Sequence, residues 1–188
     1  MASELGLEAL SIGALATSLK MSKSGLFAHF QSKDNLHLAI LEEAMRRFQE
    51  LVVLPALKKP RGEPRVRALF DYWIAWSQSD FLPGGCIFLT AAVELDDRPG
   101  PTRDFLAAAQ GELAATLARA AHIAVDEGHF RPDLDTEQFA FEWYSMMMGS
   151  HFHQRMLRTP RTDERLRFAF ERLISDAIGP RKRTRQQH

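Results

Sequence analysis

Cysteine is nearly absent from this sequence: Cys86 is the only one in 188 residues. That excludes a disulfide framework and any zinc or iron–sulfur centre built from several cysteines, and it suits a reducing compartment. No apolar run approaches the roughly 18 residues a membrane span requires, and no charged-then-apolar leader opens the chain. A soluble, cytoplasmic protein is expected. Neither sign of charge is in excess: Lys and Arg number 24, Asp and Glu also 24, and the formal net charge is zero. This argues against a nonspecific polycation and leaves room for a nucleic-acid binder whose positive charge is local. Strand signals are missing as well, since there is no sustained apolar–polar alternation and no Asn-Gly or Asp-Gly pair. With 45% hydrophobic and 26% charged residues, the composition is that of an ordinary globular protein rather than a disordered one.

What remains is helical period throughout. Pro and Gly punctuate the chain at 55–64, 83–85, 99–101, 128–132, 160 and 179–180. Helices are expected between them at about 34–57, 64–79, 86–97, 102–127, 135–158 and 162–178, preceded by two short ones near 11–19 and 23–29. The expected class is all-α. In the last helix Leu166, Phe170, Leu173, Ile174 and Ala177 form one stripe, with Phe168 nearly opposite. The helix at 135–158 is apolar almost all round, carrying Phe139, Phe141, Trp143, Tyr144, Met146, Met147, Met148, Phe152, Met156 and Leu157. A helix without a polar face must be covered on both sides. The economical cover is a second subunit, so a homodimer through the helices near 135–158 and 162–178 is expected, with a twofold axis as the default. The basic run Arg181-Lys182-Arg183-Thr184-Arg185 is read as part of a disordered tail, 179–188.

The stretch 10–36 carries the chemistry. Ser11 is a good N-cap and is followed by Ile12, Leu15, Ala16 and Leu19 at i, i+3, i+4, i+7. After a break at Lys20-Met21, Ser22 caps a second short helix whose apolar side is Leu26, Phe27 and Phe30. Ser32 caps the third and long helix, with Asp34 in its first turn where a carboxylate suits the dipole. Two short helices joined by a tight turn make a helix-turn-helix, with Lys23 and Ser24 at the exposed start of the second. From Met21 to Leu36 the chain reads M-S-K-S-G-L-F-A-H-F-Q-S-K-D-N-L. This resembles the hallmark V-S-K-G-x-L-Y-x-H-F-x-S-K-E-x-L of the TetR family of bacterial transcriptional regulators.

That resemblance implies a helix-turn-helix DNA-binding domain at 1–45 and an all-helical effector-binding and dimerisation domain at 46–178. It implies phosphate contacts by Ser11, His29 and Lys33, and a major-groove face made by Lys23, Ser24 and Gly25, with the capping Ser22 also counted among the DNA-binding residues. Phe27 stands where the family has Tyr, so a hydroxyl–phosphate bond is replaced by packing or thymine-methyl contact. Bland readings compete: caps alone for Ser22 and Ser32, solvated charges for Lys23 and Lys33, a packed core histidine for His29. Lys20 replaces the family's usual turn glycine. The family's small, often hydrophobic effectors imply a cavity among Phe70, Trp73, Phe88, Phe105, Phe141 and Met147, with core packing as the competing reading. Asp71, Glu94, His122 and His151 are candidate polar anchors. The implied function is a regulator, commonly a repressor, released from a palindromic operator when effector binding tilts the long helix.

One departure lies upstream: only Met1–Gly6 precedes the matched segment, so the family's first helix is truncated and weak DNA binding is expected. The alternative is therefore a dimeric ligand-binding protein with impaired DNA binding. An enzyme is not expected, because no Gly-rich phosphate loop, Gly-x-Ser-x-Gly elbow or His-Glu-x-x-His occurs. His151 and His153 point to different sides of a helix, so no metal site is expected, and no cofactor is implied. Cys86 is read as a small buried hydrophobe rather than a redox sensor.

Overall fold

Three serines start three consecutive helices. The structure is a computed structural model that describes residues 1–179, and the basic run at 181–185 lies outside the described residues. Ser11 Oγ accepts from the Ala14 amide, Ser22 Oγ from Gly25 and Ser32 Oγ from Asn35, each at 3.1 Å. They open α2 (Ile12–Leu19), α3 (Lys23–Phe30) and α4 (Lys33–Phe48), which follow a single turn, α1 (Ala2–Leu5). Each cap satisfies an amide that the helix's own hydrogen bonds leave without a partner. Beyond α4 come a π-helical turn at Gln49–Val53, then α5 (Leu54–Leu57), α6 (Glu63–Ser77), α7 (Ile87–Leu95), α8 (Pro101–Asp126), α9 (Thr136–Arg155) and α10 (Thr162–Ile178). There is no strand among the described residues. The all-α expectation therefore holds.

The helix-turn-helix is held by a small core of Ile12, Ala16, Leu26 and Leu36, with Leu15, Phe30 and Ile40 packed against it. Its turn is left-handed. Lys20 has φ 54° and ψ 37°, and the Met21 amide returns to the Ala16 carbonyl at 2.9 Å, closing a Schellman-type end. A Cβ costs about 1–2 kcal/mol in that region, partly offset for glycine by chain entropy. Lys20→Gly is therefore expected to stabilise the protein by about 0.5–1 kcal/mol, read as a rise in Tm. An unchanged or lower Tm would refute the strain at this turn.

The long helix expected over 34–57 is not uniform. Its interruption at Gln49–Val53 has a cause in Pro55, which lacks an amide proton and whose ring would press on the Leu51 carbonyl in a regular helix. One wider turn relieves the conflict: the Leu54 amide donates to the Gln49 carbonyl, an i→i+5 bond.

The described residues divide into two compact units, one of 1–58 with 68–113, the other of 59–67 with 114–179. In the first, Phe48 at the end of α4 meets Trp73, Trp76 and Phe88 edge-on, at centroid distances of 6.0, 5.5 and 5.9 Å. These rings are nearly inaccessible to solvent, and Cys86 is buried in the same unit. In the second, Trp143 lies between Phe139 and Phe170 at 6.1 and 5.2 Å, where α9 packs on α10. Asp135 caps α9 through the amides of Glu137 and Gln138.

Candidate nucleic-acid interface

Helix α3 buries one side chain, Leu26, and leaves most of the rest exposed. A helix that gives so little of itself to the core is presented to something else. Lys23, Ser24 and Gly25 form its first turn and are exposed, as are Phe27 and His29. Phe27, expected on the apolar side of this helix, is instead 55% exposed, which leaves its ring open to contact. His29 sits edge-on to Phe30 at 4.6 Å, and its exposure sets aside the core-histidine reading. Lys20 and Lys23 make no ion pair among the described residues. A Cβ placed on Gly13 would lie 3.9 Å from Lys23 Cε, so the lysine stem runs along α2. Gly25 accommodates the cap, since a Cβ there would stand 2.9 Å from Ser22 Oγ. Ser11 is exposed at the start of α2; its oxygen takes the Ala14 amide, and its hydroxyl proton remains available to an acceptor.

Lys33 differs from Lys23. Its ammonium donates to the Glu8 carbonyl at 2.8 Å and to the Glu8 carboxylate at 3.2 Å. Arg98, between α7 and α8, reaches the same carboxylate oxygen at 2.8 Å. These two cations, Arg98 first, hold the Glu8 carboxyl below the usual carboxylate range. Glu8 is itself located by Glu94 of α7, whose carboxylate accepts from the amides of Leu7 at 2.7 Å and Glu8 at 3.2 Å. Gly6 allows that approach: it has φ +82°, and a Cβ would fall 1.6 Å from Glu94 Oε1. The Ser3 hydroxyl accepts from the Gly84 amide at 3.1 Å, which ties α1 to the turn before α7. Sequence reasoning missed Glu8 and Arg98, and it took Glu94 for a ligand anchor when its carboxylate holds two backbone amides. Nothing local in the sequence indicates that Glu8 would meet the distant Arg98.

The aromatic residues expected to line an effector cavity are distributed. Phe70, Trp73 and Phe88 are buried in the first unit, where Phe105 is half-buried. Phe141 and Met147 belong to the second unit, Phe141 exposed and Met147 buried. Of the four polar anchors, Glu94 holds the Leu7 and Glu8 amides, Asp71 and His122 are exposed, and His151 is half-buried, its imidazolium disfavoured by burial and then by Arg155. Burial pushes the Cys86 thiol up, the opposite of what a reactive thiolate needs. Among the described residues no group of three or more His, Cys, Asp or Glu is placed to hold a metal ion. No helix there is long and apolar enough to cross a membrane.

Along α9 and α10 one face is covered and the other is bare. Phe139, Trp143 and Met147 are buried, with Leu166, Phe170 and Ile174 opposite them. Phe141 and Phe168 are each 67% exposed, and Phe152, Met156 and Leu157 are exposed too. An open groove of about 490 Å3 runs between the two helices past Phe141, Met146, Ala169 and Arg172. A second, of about 250 Å3, continues past Gly149, His153 and Leu166.

Residues 62–170 match the family model described as "Tetracyclin repressor-like, C-terminal domain". Residues 1–40 match the one described as "Bacterial regulatory proteins, tetR family". No curated protein matches the chain. Among solved structures it is similar to a TetR-family transcriptional regulator from Streptomyces coelicolor, with 21% identity, TM-score 0.78, and coverage of 94% of this chain and 92% of that one. A TetR transcriptional regulator from Chloroflexus aurantiacus is 24% identical with TM-score 0.79, over 92% and 86% of the two chains. AibR, solved in complex with isovaleryl coenzyme A and operator DNA, is 26% identical with TM-score 0.71, over 92% and 89%.

Proposed function

The chain belongs to the TetR family of bacterial transcriptional regulators, and from that premise we propose that it is a homodimeric, cytoplasmic repressor released from a palindromic operator by a small hydrophobic effector. Residues 1–45 are the reader and 46–178 the effector-binding and dimerisation domain. The observation that carries this reading is the outward side of α3, where Lys23, Ser24, Gly25, Phe27 and His29 are exposed on a capped helix held to the core by Leu26 and Phe30. Lys23 and Ser24 meet base edges or phosphates at the start of the recognition helix, and Gly25 permits close approach. Phe27 packs on the sugar or a thymine methyl. Ser11, Ser22, His29 and Lys33 fix the helix on the backbone.

Two such helices read half-sites about 34–36 Å apart, or a multiple of that, when two chains join through α9 and α10. The effector acts at the aromatic cluster of the first unit, where Phe70, Trp73, Phe88 and Phe105 supply an apolar surface. Phe48 links that cluster to α4, so a ligand that parts the rings shifts the helix leading to the reader. Only a ligand that prefers one of the two arrangements moves this equilibrium.

In vitro selection from a random duplex library at near-physiological salt tests the reading. An inverted repeat is expected, with Lys23→Ala weakening binding and lowering the slope of log affinity against log salt by about one. A folded dimer that selects no motif would refute the repressor.

A further inference from the structure

Three charged side chains from distant parts of the chain converge beside the start of α4. Glu8 Oε2 takes a hydrogen bond from Lys33 Nζ at 3.2 Å and one from Arg98 Nη1 at 2.8 Å. An anionic oxygen held by one ammonium and one guanidinium is the arrangement in which proteins hold a phosphate oxygen. All three side chains are exposed to solvent, Arg98 at 57%, Lys33 at 43% and Glu8 at 41%. Exposed pairs of this kind contribute little to stability, so an arriving anion can replace the carboxylate with small loss to the fold. The neighbouring Asp96 carboxylate is turned to its own loop, accepting from the Asp97 amide at 2.9 Å.

We propose that Arg98 joins Lys33 as a contact to one backbone phosphate of bound DNA, and that Glu8 occupies the place of that phosphate in the DNA-free protein. The inference rests on the DNA-reading function proposed above and adds to it a phosphate contact from outside the reader domain, 1–45. It also adds an internal competitor. Glu8 does not sit there by chance of a mobile side chain, because its amide and that of Leu7 are held by Glu94 of α7. On binding, the Glu8 carboxylate gives up its two cations to the phosphodiester, an exchange of one singly charged anion for another, while counterions leave the DNA.

The test is fluorescence anisotropy with a selected operator duplex over a salt series from about 50 to about 200 mM. Arg98→Ala and Lys33→Ala are each expected to lower the salt slope by about one. Glu8→Gln is expected to tighten binding about three- to tenfold, the scale of two exposed ion pairs. That gain is expected to vanish when Lys33 and Arg98 are both alanine. An unchanged slope in Arg98→Ala beside a lowered slope in Lys33→Ala overturns the contact. A Glu8→Gln gain that persists without both cations reports general repulsion from DNA and overturns the competitor role. A wild-type chain that binds no operator fails at an earlier step, overturning the repressor reading together with this inference.

Discussion

Phe141→Asp is expected to give a folded monomer whose affinity for a two-site operator is lower by more than about a hundredfold, the consequence of placing a charge in the dry centre of a subunit contact. The ring is 67% exposed on α9, as is Phe168 on α10, and Phe152, Met156 and Leu157 extend the apolar surface. Soluble chains rarely leave so much aromatic and aliphatic surface bare unless it docks. A twofold contact uses the same patch twice, so one substitution removes two anchors and introduces two charges. At about 2 kcal/mol or more for each anchor lost, dimerisation weakens by roughly a thousandfold. The single chain itself loses little, since an exposed position off its core changes stability by roughly 0.5 kcal/mol or less. Sedimentation equilibrium separates these effects. A variant that remains dimeric at micromolar concentration, with an unchanged melting curve, would remove α9 and α10 from the interface.

Phe48→Ala is expected to destabilise the first unit by about 3–5 kcal/mol, the cost of emptying a buried phenylalanine site. Phe48 is 2% exposed and meets three other rings edge-on. Each such pair adds about 0.5–1.5 kcal/mol beyond the buried area, and the stiff neighbours Trp73 and Trp76 cannot collapse far into the space. For a chain of this size the loss corresponds to a fall in Tm of roughly 6–20 °C. The emission of Trp73 and Trp76 should move to longer wavelength as water reaches them, whereas Trp143, in the other unit, should not respond. Phe48→Leu, which keeps most of the volume, should cost less than half as much. A fall of under about 3 °C for Phe48→Ala would mean that the cluster does not hold α4, and the route proposed from effector to reader would go with it.

Much of this molecule was legible from neighbours in the chain. Ser11, Ser22 and Ser32 announce three helix starts because an N-cap is an interaction over three residues, and each is made as expected. The apolar stripe of α10 and the outward position of Phe168 follow from helical period, as do Ile12, Leu15 and Ala16 of α2, whereas Leu19, expected on the same stripe, is exposed at the last turn. The run around Lys23 and Gly25 is likewise local, and the exposure expected for Lys23 and Ser24 is found. The sequence marked Lys20 as standing in place of a turn glycine; that the turn keeps the left-handed conformation with a lysine in it is a finding of the structure.

Other features depend on which distant segments meet. Pro55 marks a break in the long helix, but its absorption as a π turn rather than a kink is a matter of how α4 and α5 are held. Phe70, Trp73 and Phe88 share a unit while Phe141 and Met147 lie in the other, a division that aromatic content alone cannot express. Glu94 looked like a ligand anchor and instead holds two amides 87 and 86 positions away. Lys33 looked free and is paired with Glu8, which Arg98 shares. Caps, periods and turns arise from forces acting within about one helical turn, so they are written in consecutive residues. A carboxylate's partner or a ring's neighbour is chosen by packing across the chain, where many sequences of the same pattern would meet differently.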